Sequence, residues 1–251
     1  MTLTLTDTDL YQRGAETLVA SWDVCAAGAP GAAVVRGHGV RSGVFPHGPE
    51  RDVFNNALLD RDLPADASEV ALDAMEAAYA SASVDRFAAW VHESEEAMRA
   101  AITARGYTVA ETTRAMATPL SDLRLPRPEI DLSPAAWPDY VRFLERFDVE
   151  PGLMAGVDPD AYRVVLARGD GGESLAAALA FDLDGDCGIY NVGTVEHARR
   201  RGLATALTAV LAHDAADRGC VTASLQATPM AERLYASVGF RDLGRFLEYV
   251  P

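Results

Sequence analysis

Three consecutive arginines, Arg199, Arg200 and Arg201, run directly into Gly202, Leu203, Ala204 and Thr205. They lie between a β-rich stretch and a helically periodic one, and residues of these types in this order can hold one anion. A strand that turns through Arg and Gly into a helix leaves backbone N–H groups unpaired at the helix start, beside the positive end of its dipole. Small residues at Gly202 and Ala204 allow a pyrophosphate to approach the backbone where a bulky Cβ would block it. Arginine adds planar, permanently charged donors for phosphate oxygens. The same string could also form a solvated basic turn, so its context has to decide.

Other chemistries have weaker sequence support. His38, His47, His92, His197 and His213 show no ligand spacing, so no metal site is expected. No G-x-S-x-G element points to a serine hydrolase. The acidic run "FDLDGDC" lacks the later glutamate of a calcium loop and reads as a hairpin turn. Cys25, Cys187 and Cys220 are odd in number with no CxxC spacing, as expected for reduced, buried thiols in a cytoplasmic protein. The start "MTLTLTDTDLYQRG" carries no basic segment before an apolar run, and no stretch approaches the roughly 20 apolar residues of a membrane span. A soluble, cytoplasmic protein is expected.

All 22 basic residues are arginine, against 37 acidic ones, for a net charge of −15 in 251 residues. That balance disfavours nucleic acid and anionic membranes as partners and favours the approach of cations such as amines. The length fits one large domain or two smaller ones.

The elements that would position the arginine turn follow from periodicity. The proline-rich "PLSDLRLPRPEIDLSP" (119–134) reads as a linker between two halves. The expected division is an N-terminal domain at 1–120, a linker at 121–132 and a C-terminal domain at 133–251. The N-terminal half begins with a helix, "TDLYQRGAETLVASW", followed by short β-rich pieces near "AAVVRGHGV" and "DVFNNALL". Val70, Leu72, Met75, Ala78 and Tyr79 then mark a helical stripe. A strand "RFAAWVHE", a helix "SEEAMRAAITARGY" and a strand "TVAETTRAMAT" finish this half. The C-terminal half starts with a helix "SPAAWPDYVRFLERF", then a meander of "AYRVVLAR", "LAAALAFDL" and "GIYNVGTV" joined by Gly- and Asp-rich turns. Leu203, Leu207, Val210, Leu211 and Ala215 mark one face of the helix after the arginines. A strand "VTASLQA", a helix "PMAERLYASVGF" and a strand "GRFLEYV" close the chain. The two halves end alike: aligning Gly106 with Gly239 sets Tyr107 opposite Phe240 and Ile102 opposite Tyr235, as a degenerate duplication would.

"VGTVEHARRRGLATAL" resembles motif A of the GCN5-related N-acetyltransferase (GNAT) superfamily, a [QR]-x-x-G-x-[GA] loop, with Arg199, Gly202 and Ala204 on its defining positions. "TPMAERLYASVGF" is similar to the family's motif B at Ala231, Leu234, Tyr235, Gly239 and Phe240. The resemblance spans roughly residues 131 to 251. It implies an α/β fold with a mixed sheet: a GNAT fold in the C-terminal half beside a smaller or degenerate GNAT-like N-terminal half. That half lacks an equivalent of the arginine loop.

By this resemblance the co-substrate is acetyl-CoA, and the acceptor is a primary amine of a small molecule or peptide. The strand ending "NVGTV" would splay from its neighbour and contact the pantetheine through Thr194, with Gly193 and Val195 beside it. Arg199, Arg200, Arg201, Gly202, Leu203, Ala204 and Thr205 would hold the pyrophosphate. Tyr235 falls where members place a general acid, and a phenol with a reference pKa near 10 keeps its proton at neutral pH. The strand contains no carboxylate to serve as base, which leaves Asn191 to position a water; Asp186, Glu196 and His197 are weaker candidates. Thr228 stands where motif B usually has asparagine. These departures also fit an alternative, a non-catalytic acyl-CoA-binding regulatory module.

Overall fold

The computed structural model describes residues 5–47, 54–64, 66–130, 132–147, 154 and 156–251. In chain order the elements are α1 (Asp7–Ala27), β1 (Ala33–Gly37), β2 (Val40–Val44), β3 (Asn56–Leu59), α2 (Ala67–Ser81), β4 (Ala88–His92), α3 (Glu96–Ala104) and β5 (Thr108–Pro119). There follow β6 (Ser133–Pro134), α4 (Trp137–Leu144), β7 (Arg163–Arg168), β8 (Ser174–Leu183), β9 (Asp186–Thr194), α5 (Leu203–Asp217), β10 (Thr222–Ala227), α6 (Glu232–Val238) and β11 (Arg241–Val250). The order helix, three strands, helix, strand, helix, strand occurs twice: α1 to β5, then α4 and β7 to β11. Gly106 and Gly239 both take positive φ, 92° and 128°. Ile102, Tyr107, Tyr235 and Phe240 are all buried.

Two compact units share the chain: one of residues 1–20, 114–151 and 158–243, the other of 21–113, 152–157 and 244–251. The first contains residues 114–119 of β5 in the sheet order β5-β10-β9-β8-β7-β6, together with the first three residues of β11, and the second contains residues 244–250 of β11 in the order β1-β2-β3-β4-β11. Each repeat's last strand is therefore paired in the unit built mainly from the other repeat. β5 lies antiparallel to β10, with Ser224 opposite Ala117, and β11 lies antiparallel to β4, with Phe246 opposite His92.

In the second unit β3 and β4 are buried along their whole length and pair in parallel, Asn56 to Ala88 and Leu58 to Trp90. α2 covers them with Ala71, Leu72, Met75, Ala78 and Tyr79. Val70, expected on that stripe, is instead 48% exposed, because the helical phase turns Ala71 inward in its place.

In the first unit, alanines at 176, 178 and 180 on β8 pack in one core with Leu207 and Leu211 of α5 and Ile189 of β9. The turn from β8 to β9 is a two-residue hairpin in which Asp184 and Gly185 both have positive φ, 46° and 80°. Arg218, at the end of α5, reaches Asp182 of β8 at 2.6 Å and closes the helix onto the strand. The helix expected from Ser133 begins only at Trp137. Ser133 and Pro134 pair with Leu166 and Val165 as a short edge strand, a position where proline's missing N–H is tolerated. Cys187 is buried as expected, whereas Cys25 and Cys220 are only partly so.

Candidate active site

The first unit's sheet opens between β9 and β10. The parallel register joins Thr222 to Asp186, Ala223 to Cys187 and Ser224 to Gly188. Beyond that point β9 runs on to Thr194 and β10 to Ala227 with no further pairing between them. The edge of β9 facing β10 therefore presents backbone donors and acceptors to the opening.

A bulge sits on that strand. On the β8 side Leu179 pairs with Tyr190 and Ala177 with Gly193, so β9 carries one extra residue between them. Asn191 absorbs it at φ 51°, a left-handed conformation that asparagine tolerates better than most residues. Asn191 is exposed, and its Nδ2 donates to the hydroxyl of the buried Tyr140 on α4 at 3.1 Å. Its Oδ1 is the atom that can accept a hydrogen bond from a water or an ammonium group.

Aromatic side chains line the α4 side of β9, and sequence reasoning did not single them out. The Phe147 and Phe143 rings lie 3.0 Å and 3.4 Å from where a Gly193 Cβ would be, so a larger residue at 193 would have to displace them. A Cβ at Gly188 would collide with the Tyr190 hydroxyl, so Gly188 leaves room for that ring to lie back along its own strand. The usable signal was the spacing of Tyr140, Phe143 and Phe147, which puts three rings on one side of a helix and the turn after it.

The arginine turn follows directly. Val195 is buried and Glu196–Ala198 form a single 3-10 turn. Arg199 then directs its Nε to the Thr194 carbonyl at 3.3 Å, which closes the turn onto the end of β9. Arg200 (φ 62°) and Gly202 (φ 78°) both adopt left-handed conformations, and Gly202 is the N-cap of α5, with no side-chain cap. Among the described residues, nothing lies within 4 Å of the position a Gly202 Cβ would take. Arg199, Arg200, Arg201 and Gly202 are exposed, while Leu203, Ala204 and Thr205 are half-buried in the first turn of the helix. Thr194 Oγ1 is buried and has no hydrogen-bond partner among the described residues. An open, uncapped helix start beside an orphaned hydroxyl and an unpaired strand edge fits the diphosphate and amide groups of an acyl-CoA.

Tyr235 lies on α6 after β10. It is buried, meets Phe240 edge-on at 6.1 Å between ring centroids, and burial pushes its phenol up to about 12. It is thus a protonated donor across the neutral range. Thr228 is exposed at the turn into α6, where its carbonyl accepts from the Ala231 N–H at 2.8 Å. The weaker base candidates are placed elsewhere. Asp186 is buried at the closed end of the β9–β10 pair, its two oxygens taking hydrogen bonds from Thr222 (2.7 Å) and Ser224 (2.6 Å). Glu196 is exposed, and His197 faces Glu173 of the β7–β8 hairpin at 3.6 Å. Among the described residues, no group of three His, Cys, Asp or Glu side chains is arranged to hold a metal ion. No helix among them is long and apolar enough to cross a membrane.

A mixed sheet that parts beside a glycine-started helix is the arrangement of the GNAT acyltransferase fold. Residues 124–240 match the acetyltransferase (GNAT) family, and this segment is a GNAT acetyltransferase domain. Among solved structures, the chain is similar to a GCN5-related N-acetyltransferase from Kribbella flavida, with TM-score 0.70 and 17% identity over 94% of each chain. It is also similar to a GCN5-related N-acetyltransferase from Sphaerobacter thermophilus, with TM-score 0.57 and 16% identity over 94% of this chain and 84% of that one. An acetyltransferase of the GNAT family from Colwellia psychrerythraea gives TM-score 0.53 and 16% identity over 84% and 80%. At these identities the likeness establishes the fold. No curated protein matches the sequence significantly.

Proposed function

We propose that the protein is an acetyl-CoA-dependent N-acetyltransferase that acylates a primary amine of a small molecule or peptide. The observation that carries this reading is the opening of β9 from β10 beyond Gly188, along the stretch that bears the Asn191 bulge, next to a helix start at Gly202 with free space around it. Gly193, Thr194 and Val195 would meet the pantetheine, and the turn from Arg199 to Thr205, with Thr228 across the opening, would hold the phosphates. The co-substrate supplies an activated acyl group as a thioester. The amine nitrogen forms the new C–N bond as the C–S bond breaks, and the departing sulfur takes the Tyr235 proton. The acceptor attacks as the neutral amine after losing a proton to solvent. The nitrogen then releases its second proton to a water hydrogen-bonded to Asn191 Oδ1 and so to solvent, from which the Tyr235 phenolate regains its own. The net charge of −15 favours a cationic acceptor. A cytoplasmic setting fits this chemistry. Residues 1–120 would be a degenerate GNAT-like repeat that does not bind the coenzyme, joined by 121–132 to the acetyltransferase repeat at 133–251, the last strand of each pairing in the compact unit built mainly from the other.

The test is thiol release from acetyl-CoA over a panel containing a polyamine, an arylalkylamine, an amino sugar and a peptide with a free N-terminus. Amine-dependent release with the acetylated amine recovered supports the reading. Tight acetyl-CoA binding without turnover on any amine would favour the regulatory-module alternative, which the absence of a carboxylate on β9 beyond the engaged Asp186 makes specific.

A further inference from the structure

The helix that carries Tyr235 packs in one core with α5 and is tied in addition from outside the segment that matches the family. α6 has seven residues, too few for an isolated helix to persist, and Ala231 at its N-cap supplies no side-chain cap. Its anchors come from β5 and the residues just after it. Arg114 on β5 lies opposite Ala227, the last residue of β10. Its Nε is 3.0 Å from Oε2 of Glu232, the first residue of α6, and its guanidinium makes a short ion pair with Asp242 at the start of β11. One planar cation thus ties the start of the helix to the strand that follows it. The Arg114 and Glu232 side chains are 19% and 23% exposed, so this pair is screened less than a surface one. At the far end of α6, the Arg124 N–H donates to the Val238 carbonyl at 2.9 Å, and Asp122 pairs with Arg241 at 2.5 Å.

We infer that Arg114 is a positioning residue for acyl transfer, holding α6 through Glu232 so that the Tyr235 phenol meets the departing sulfur. Glu232 and Tyr235 are three residues apart and so lie on neighbouring positions of one helix face. The inference rests on Tyr235 being the general acid. It assigns a second purpose to β5: the last strand of the first repeat carries the residue that sets the acid of the second. Truncation to the family-matching segment would remove it.

The test is a double-mutant cycle in the full chain, assayed with acetyl-CoA and the fastest amine of the panel above. Arg114→Met is expected to lower kcat about tenfold, a fraction of the roughly 100-fold that a misplacement of about 1 Å can cost. The calorimetric Kd for acetyl-CoA should stay within about twofold, and Arg114→Lys should recover part of the rate. In a Tyr235→Phe background, Arg114→Met should cause no further loss. Equal losses in both backgrounds, an unchanged kcat, or a Kd that weakens in step with the rate would overturn the positioning role while leaving the acid in place. A Tyr235→Phe enzyme as fast as wild type would remove the acid and this inference with it. Should Arg114→Met fail to fold, Glu232→Gln, which retains the Arg114–Asp242 pair, is expected to give the same non-additive loss. Additivity there counts equally against the role.

Discussion

Replacing Gly202 separates folding from coenzyme binding. Its φ of 78° and ψ of 3° are left-handed, so any L side chain there costs about 1–2 kcal/mol of stability. No atom of the described residues lies within 4 Å of the position a Cβ would take, so no steric term is added in the free protein. Gly202→Ala should therefore lose about 1–2 kcal/mol and no more. Gly202→Glu meets the same backbone strain, but a carboxylate at a helix N-terminus regains about 0.3–1 kcal/mol from the dipole. The glutamate variant should thus be no less stable than the alanine one. For binding the order reverses sharply. A carboxylate about 4 Å from a phosphate charge is repelled by about 1 kcal/mol in a water-like medium and about 4 kcal/mol at a partly buried surface. That corresponds to roughly fivefold to 1000-fold weaker acetyl-CoA binding. Thermal unfolding and titration calorimetry on the same preparations measure both quantities. A folded Gly202→Glu protein that binds acetyl-CoA as tightly as wild type would refute the assignment of this turn to the pyrophosphate.

Tyr235→Phe should lower kcat by about 100-fold or more, the usual contribution of a general acid, with the acetyl-CoA Kd unchanged. Because burial raises the Tyr235 phenol to about 12, its protonated form persists well above neutrality. The kcat–pH profile should then show no alkaline limb from this group below about pH 10, and a limb there that vanishes in Tyr235→Phe would contradict the burial. Asn191→Val puts a β-branched residue at φ 51°, so it should destabilise by about 1–3 kcal/mol and slow turnover; Asn191→Gly should keep the fold, and equal stability of the two variants would contradict the bulge assignment. For Asp182, burial works to raise the carboxyl, but hydrogen bonds from Arg218 and Cys187 outweigh it and hold the group below the usual range. A folded-state pKa below the unfolded one stabilises above about pH 4 and is lost as pH falls through the lower value. The Tm gap between wild type and Asp182→Asn should therefore be full at about pH 6 and close below about pH 4; a gap independent of pH would count against the ion pair.

What could be read from the sequence was what depends on local chemistry. The turn at Gly202 was legible because a left-handed residue before a helix calls for glycine, and α5's buried face followed from its apolar spacing. The meander was legible because Asp184-Gly185 has few alternatives to a tight hairpin. The bulge at Asn191 was not, since "GIYNVGTV" alternates well enough to pass for a regular strand and only pairing with β8 reveals the extra residue. Nor was the exchange of last strands. β5 and β11 carry the same pattern whichever neighbour they join, so their partners are set by long-range packing. The hold of Arg114 on Glu232, 118 positions further along the chain, was hidden for the same reason. Val70 fits the apolar spacing of α2 yet is exposed, because Ala71, one step round the helix, is the residue turned inward.

On the proposed function, the opening between β9 and β10 takes an acyl-CoA through the Gly202 turn. Titration calorimetry of the full chain with acetyl-CoA tests it most directly. The expected result is one equivalent bound per chain, with the heat of binding abolished or strongly weakened in Gly202→Glu. No binding of acetyl-CoA to the folded wild-type protein would contradict it.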